Sequence, residues 1–260
     1  MSSQSPYIIT KVESKAKKAI YGYNLIEEDD GVLVGISGGK DSFALLDVLV
    51  RLRKSLPEKF RIEACHVIAK DMPYKADEVF MKEYCQENGV NLHFREIEVQ
   101  YDKSKRQPAC FICSWKRRKE LFKLAREQKC TKVALGHHLD DAIETLMLNM
   151  IHHSSISSIP PMLSMFDGEI SIIRPLILVL NSELKKYAEI KEFPGEVEVC
   201  HYNDDTHREL VRQLIKQTTK LNRSARENIF RSMGNVFPDY VVPNIGKKKN
   251  LPDDDYREVT

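Results

Sequence analysis

The sequence predicts an α/β protein: a parallel sheet with helices on both faces, followed by a helical C-terminal extension. Three observations predict it. Residues 32–36 form a short, wholly apolar run of the kind buried on both sides of a parallel sheet. Strand-like and helix-like segments alternate four times between residues 32 and 152. That rhythm then breaks at "HHSSISSIPPML", a Ser- and Pro-punctuated loop, and helical patterns dominate beyond it.

In order, residues 8–25 read as a helix with Lys and Glu on its wet face. The strand at 32–36 leads into a helix at 42–56 that stops at Pro57. Residues 62–68 are the second strand, and 74–88 a helix closed by Gly89. Residues 92–99 alternate as a third strand. A basic helix spans 115–129, a fourth strand 132–135 and a further helix 140–152. After the loop, 170–174 is a candidate strand, with helices near 182–191 and 205–233. The expected divisions are an N-terminal helix (1–25), an α/β domain (26–180), a helical region (181–242) and a loose polar tail (243–260).

With 260 residues, 42% hydrophobic and 30% charged, the chain has an ordinary globular composition. No apolar run reaches the roughly 18 residues of a membrane span. The N-terminus lacks the apolar core of a signal peptide, so a cytoplasmic protein without a membrane partner is expected. Net charge is only +2, but it is unevenly spread. Residues 103–132 carry eleven Lys or Arg against two acids, and 207–232 carry seven against two. Two basic stretches on an acidic body suit a polyanion, and equally suit two solvated helix faces.

Between the first strand and its helix lies Ser37-Gly38-Gly39-Lys40-Asp41-Ser42. Glycines there let backbone N–H groups approach phosphate oxygens at a helix N-terminus. Lys40 adds a full charge, and Ser37 and Ser42 add hydroxyls. A Walker A loop is excluded: Gly35 and Gly39 are separated by three residues rather than four, and Asp41 follows Lys40. The motif resembles instead the PP-loop of ATP pyrophosphatases. That likeness implies a grip on the β and γ phosphates that leaves the α phosphate open to attack. The competing reading is a glycine turn with no ligand.

The fourth strand ends in Gly136-His137-His138, and Asp140, Asp141 and Glu144 open the next helix. Loops at the carboxyl ends of parallel strands collect ligands, so this motif is expected near the glycine loop. One aspartate, with Asp141 ahead of Asp140, is the candidate holder of Mg²⁺. Acids at a helix start are also favoured by the helix dipole alone. The two histidines are expected to pack or hydrogen-bond.

Six cysteines stand at 65, 85, 110, 113, 130 and 200. Cys110 and Cys113, in "PACFICSWKRRKEL", are read as lying immediately before the basic helix, spaced to share a metal. Cys65 and Cys85 read as small core hydrophobes, and Cys130 precedes a strand. Cys200, in an irregular segment, suits a third ligand. Spacing alone leaves an iron–sulfur cluster, zinc and a redox dithiol open.

Together, "GVLVGISGGKDSFALLDVL", "CFIC", "GHHLDDAIETLMLN", "IPPML", "IIRPL" and "ARENIFRSMGNV" resemble the tRNA 2-thiocytidine synthetase family. The resemblance runs from about Lys11 to Val236. Leu139 stands where the family's motif has arginine, and the segment around Cys200 departs from the family's cysteine-rich stretch. The likeness implies a Rossmann-like fold of the adenine nucleotide α-hydrolase type. It implies ATP and Mg²⁺, with Asp41, Asp141 and Lys116 in the catalytic set and Ser37 through Ser42 with Gly136 around the nucleotide. It implies a 4Fe-4S cluster on Cys110, Cys113 and Cys200, tRNA as substrate, and a cysteine desulfurase or other sulfide donor as partner. A homodimer is compatible with it. The basic residues Lys103, Lys105, Arg106, Lys116, Arg117 and Arg118, and Arg208, Arg212, Lys216, Lys220, Arg223 and Arg226, would then meet anticodon-loop phosphates. The alternative is a PP-loop AMP-forming ligase that adds nitrogen without a cluster.

Overall fold

A computed structural model describes residues 4–72, 75–99, 109–194 and 206–242. The chain divides into two compact units: Met1–His138 with Pro160–Asp204, and Leu139–Ile159 with Asp205–Thr260.

The first unit is built on a six-stranded sheet. Its strands are β1 (Gly31–Gly35), β2 (Arg61–Ala69), β3 (Asn91–Ile97), β4 (Lys132–Ala134), β5 (Met162–Met165) and β6 (Ile170–Ile173), in the order β3-β2-β1-β4-β6-β5. All neighbours are parallel except β5 and β6. The mostly parallel α/β sheet expected from the sequence is therefore present. The antiparallel β5 is an addition, because "IPPML" reads as loop. Its signal is Asp167-Gly168 between two alternating runs, a hairpin turn. Phe166, Asp167 and Gly168 all take positive φ there (52°, 55° and 94°).

Alternate residues of each strand face opposite layers. Leu33, Cys65, Val67, Val133 and Ile172 pack with Leu121, Phe122, Leu124 and Ala125 of α4 (Ala109–Glu127). The other face carries α2 (Lys40–Ser55), whose Phe43, Ala44, Leu45, Leu46, Val48 and Leu49 are all fully buried. Around it lie α1 (Gln4–Gly22) and α6 (Asn181–Ile190), joined by Lys11 and Lys15 on Glu183 at 3.0 and 2.7 Å. Helix α3 (Glu78–Glu87) is capped by Asp77, whose carboxylate accepts from the Phe80 N–H, so it begins four residues later than its sequence pattern suggests.

Chain order reverses beside β1: β2 and β3 extend one way, and β4 opens the other side. That is the topological switch point of an open α/β sheet, where ligands bind beyond the strands' carboxyl ends.

The second unit holds α5 (Leu139–His153), α7 (Thr206–Leu221) and α8 (Ala225–Ser232). The helical pattern over 205–233 is thus two helices, separated at residues 222–224. They pack on α5 and on one another, with Val211, Ile215, Ala225 and Phe230 buried.

Candidate nucleotide and sulfur-transfer site

The loop leaving β1 is shaped by its own backbone. Ile36 N–H donates to the Cys65 carbonyl at 2.8 Å, extending the β1–β2 ladder by one residue. Gly38 then turns with φ 97°, a conformation glycine adopts without strain. Gly39 is the N-cap of α2, and no side chain caps that helix end. Ser42 N–H turns back to the Gly39 carbonyl at 3.1 Å, so the N–H groups of Lys40 and Asp41 are the ones left for a ligand's oxygens, and the helix dipole favours an anion there. Ser42 Oγ donates to the Gly39 carbonyl at 2.8 Å, and Gly39 N–H donates to Ser37 Oγ at 3.3 Å. Lys40 Nζ lies 2.6 Å from Asp41 Oδ1, with both side chains about one third exposed. The six motif residues therefore form one donor-rich turn whose single cation is paired with its single acid.

The loop leaving β4 touches that turn. A Cβ on Gly136 would sit 3.1 Å from the Asp41 carbonyl carbon and oxygen and 3.2 Å from the Ser42 nitrogen. Only glycine permits this approach of the two loops without backbone displacement. Next to it, Arg174 of "IIRPL" is 2% exposed and donates from Nε to His137 Nδ1 at 3.3 Å and from Nη1 to the Pro160 carbonyl at 2.6 Å. The motif pairs that the sequence sets far apart are thus physically joined.

In the second unit, the acids opening α5 are held by arginines of α7 and α8. Arg226 Nε lies 2.9 Å from Asp140 Oδ1, and Arg212 Nε donates to Glu144 Oε1 at 3.0 Å. Burial raises the Glu144 pKa, opposed by its bond to Arg212. Two arginines expected on the RNA surface are therefore already engaged. Asp141 lies in the same first turn, between these partners.

The cysteine pair differs from the sequence expectation in one respect. Helix α4 starts at Ala109, so Cys110 and Cys113 lie inside its first turns rather than ahead of it. At three residues' spacing they share one helix face, where two thiolates can reach one metal. Cys113 is buried and Cys110 half-buried. The positive end of the helix favours anionic sulfur there. Burial pushes the Cys65 thiol up to about 12 and Cys85 to about 11, and also raises Cys130. Those three stay protonated, which leaves Cys110 and Cys113 as the described thiols suited to a metal. Cys200 lies outside the described residues, as do Lys103, Lys105 and Arg106. Among the described residues, no group of three His, Cys, Asp or Glu forms a complete metal site. Cys110 and Cys113 supply two thiol donors. Three residues on, Lys116 Nζ donates to the Glu98 carbonyl at 2.7 Å.

One residue the sequence reading passed over is His66. It is 4% exposed, and its Nδ1–H donates at 2.7 Å to the carbonyl of Ile36, the residue that opens the glycine loop. Burial lowers its pKa, so it is neutral at pH 7. His66 also lines a cavity of about 340 Å³ with Ile68, Lys75, Asp77, Glu78 and Val79. Its signal was a histidine inside the apolar run 64–69 that makes up the carboxyl-terminal part of β2.

Comparison with known proteins gives the family. A family model described as a PP-loop domain matches residues 8–219. A tRNA-cytidine(32) 2-sulfurtransferase of Burkholderia multivorans is 36% identical over 241 residues, covering 90% of this chain and 72% of its own. One of Burkholderia mallei is 38% identical over 231 residues, covering 86% and 69%. Among solved structures, the U34-tRNA thiolase NcsA of Methanococcus maripaludis, described with its [4Fe-4S] cluster, superposes with a TM-score of 0.75. It is 23% identical and covers 92% of this chain and 81% of its own, a likeness of fold. With a central parallel sheet, a Ser37–Ser42 turn at its switch point and these relatives, the chain belongs to the PP-loop domain family, among its sulfurtransferases.

Proposed function

We propose that the protein is an ATP-dependent tRNA thiolase that replaces the C2 oxygen of an anticodon-loop cytidine with sulfur. The observation that carries this reading is the uncapped N-terminus of α2 behind Gly38, closed on one side by Gly136. It is suited to the outer phosphates of ATP, held by Ser37, Gly38, Gly39, Lys40 and Ser42. The cavity beside His66 suits the nucleoside end. Asp141 is the proposed Mg²⁺-binding carboxylate, and Asp41 is proposed to act in adenylation.

With those phosphates fixed, the α phosphorus is open to the cytidine C2 oxygen. A bond forms from that oxygen to phosphorus, and pyrophosphate leaves. The base is then adenylated, and C2 carries a good leaving group. Sulfur at the sulfide level attacks C2, the C–O bond breaks, and AMP departs with the original oxygen. No net oxidation or reduction occurs. Lys116 is proposed to stabilise the negative charge that develops. Cys110, Cys113 and Cys200 would hold a 4Fe-4S cluster. When bound, it would leave one iron without a protein ligand, able to present the sulfide. A cysteine desulfurase or another sulfide donor would supply it.

The relatives named for cytidine support the substrate, and the basic α7 supports an RNA partner. Membrane attachment through a spanning helix has no support, since no described helix is long and apolar enough.

Mass spectrometry of tRNA nucleosides from a strain lacking the gene tests the reading. A missing 2-thiocytidine, restored by the wild-type gene, is the expected result. An unchanged thionucleoside profile would refute it. Anaerobically prepared protein that is colourless and iron-free would favour the ligase alternative.

A further inference from the structure

Helix α7 carries cations at every fourth residue: Arg208, Arg212, Lys216 and Lys220. Like charges at this spacing oppose helix formation by about 0.2–0.5 kcal/mol per pair, so such a ridge favours a companion anion. Among the described residues, the second unit provides anions for only one end. Arg212 Nε is 3.0 Å from Glu144, and its Nη1 is 3.7 Å from Glu209. Arg208 acts electrostatically on Glu144 as well. Helix α8 adds Arg226 on Asp140 at 2.9 Å. At the other end, Lys216, Lys220 and Arg223 are exposed, and no ion pair joins them to a described residue.

The paired end is layered. Glu144 and Asp140 side chains are 6% and 15% exposed, whereas Arg212 and Arg226 are 53% and 27% exposed. The carboxylates therefore lie inside and the guanidiniums outside. Arg212 donates to Glu144 through Nε, and Arg226 Nε lies 2.9 Å from Asp140 Oδ1 without hydrogen-bond alignment. With five N–H donors per guanidinium, the others can reach a phosphate. Glu144 is incompletely satisfied in return, because its buried Oε2 has no hydrogen-bond partner among the described residues.

We propose, on the RNA reading above, that this face of the second unit is a two-tier surface for RNA phosphates. Lys216, Lys220 and Arg223 form the outer tier and engage first. Arg212 and Arg226 form an inner tier, masked by Glu144 and Asp140 until phosphate oxygens compete for them. Because those acids flank Asp141, the exchange signals RNA docking to the first turn of α5.

The test is a double-mutant cycle on RNA affinity, with the full chain and a fluorescent anticodon stem-loop. Arg212→Gln should weaken binding by less than about threefold alone, but by about tenfold or more in the Glu144→Gln background. Glu144→Gln should also steepen the salt dependence by about 0.7–0.9, one further phosphate. Glu227→Gln, with the same charge change and no described ion pair, should leave that slope unchanged. The Asp140→Asn and Arg226→Gln cycle decides the matter if Glu144→Gln does not fold. Equal loss from each arginine in both backgrounds would overturn the proposal, as would a Glu144→Gln slope no steeper than that of Glu227→Gln. If neither wild type nor variants bind RNA, this surface is refuted, while thiolation is still judged by nucleoside analysis. A full coupling beside an unchanged nucleoside profile sinks thiolation alone.

Discussion

At the scale of single residues, close approach and burial control the site. A methyl group on Gly136 would crowd the backbone of Asp41 and Ser42, which would have to give by a few tenths of an ångström. Gly136→Ala should therefore cost about 1–3 kcal/mol of stability, by urea unfolding, and slow pyrophosphate release because the two loops are pushed apart. His66 gives a pH signature. Its folded pKa lies below the ordinary 6.5 because of burial, so the unfolded chain takes up a proton that the folded chain refuses. The stability this contributes is full above 6.5 and is lost as pH falls through the folded value. Urea unfolding at pH 7.5 and 5.5 should show a drop in wild type that His66→Gln reduces. The glycines, Lys40, Asp41 and both cysteines of α4 were legible because each is rare chemistry at a fixed spacing. His66 was not, because its meaning depends on a carbonyl thirty residues away in the chain.

At the scale of elements, the strands and helices of the first unit were largely legible, since buried parallel strands are uniformly apolar and stand out. Helix starts were less so. Helix α4, spanning Ala109–Glu127, takes in its cysteines, which the sequence pattern left ahead of it. The antiparallel β5 was hidden by two prolines and revealed only by its hairpin turn. The position of α4 makes a prediction. With both thiols on one helix face, Cys110→Ala should lose iron and thiolation together while binding ATP as wild type does, measured by iron content, product formation and nucleotide titration. Full activity in that variant would remove the cluster from the account. Asp41→Ala, in the glycine turn itself, should instead lower adenylation while iron content stays unchanged.

At the scale of the whole molecule, sequence charge is a partial guide. The stretch 207–232 was read as one cationic surface, yet Arg212 and Arg226 face carboxylates of α5. Charge counts along a chain cannot register pairing between segments sixty or more residues apart. What the sequence did convey is a set of parts: a glycine turn with a lysine after a buried strand, a thiol pair and basic helices in one chain. The proposed reaction joins them through one intermediate, a base whose C2 oxygen is bonded to the α phosphorus. The most direct measurement labels that oxygen. Purified holo-protein would be given ATP, a sulfide donor and RNA carrying ¹⁸O at C2 of the target cytidine, and the released AMP would be weighed. AMP carrying the heavy isotope, in step with thiolated RNA, is the predicted result. Unlabelled AMP accompanying thiolation would contradict attack by the base oxygen.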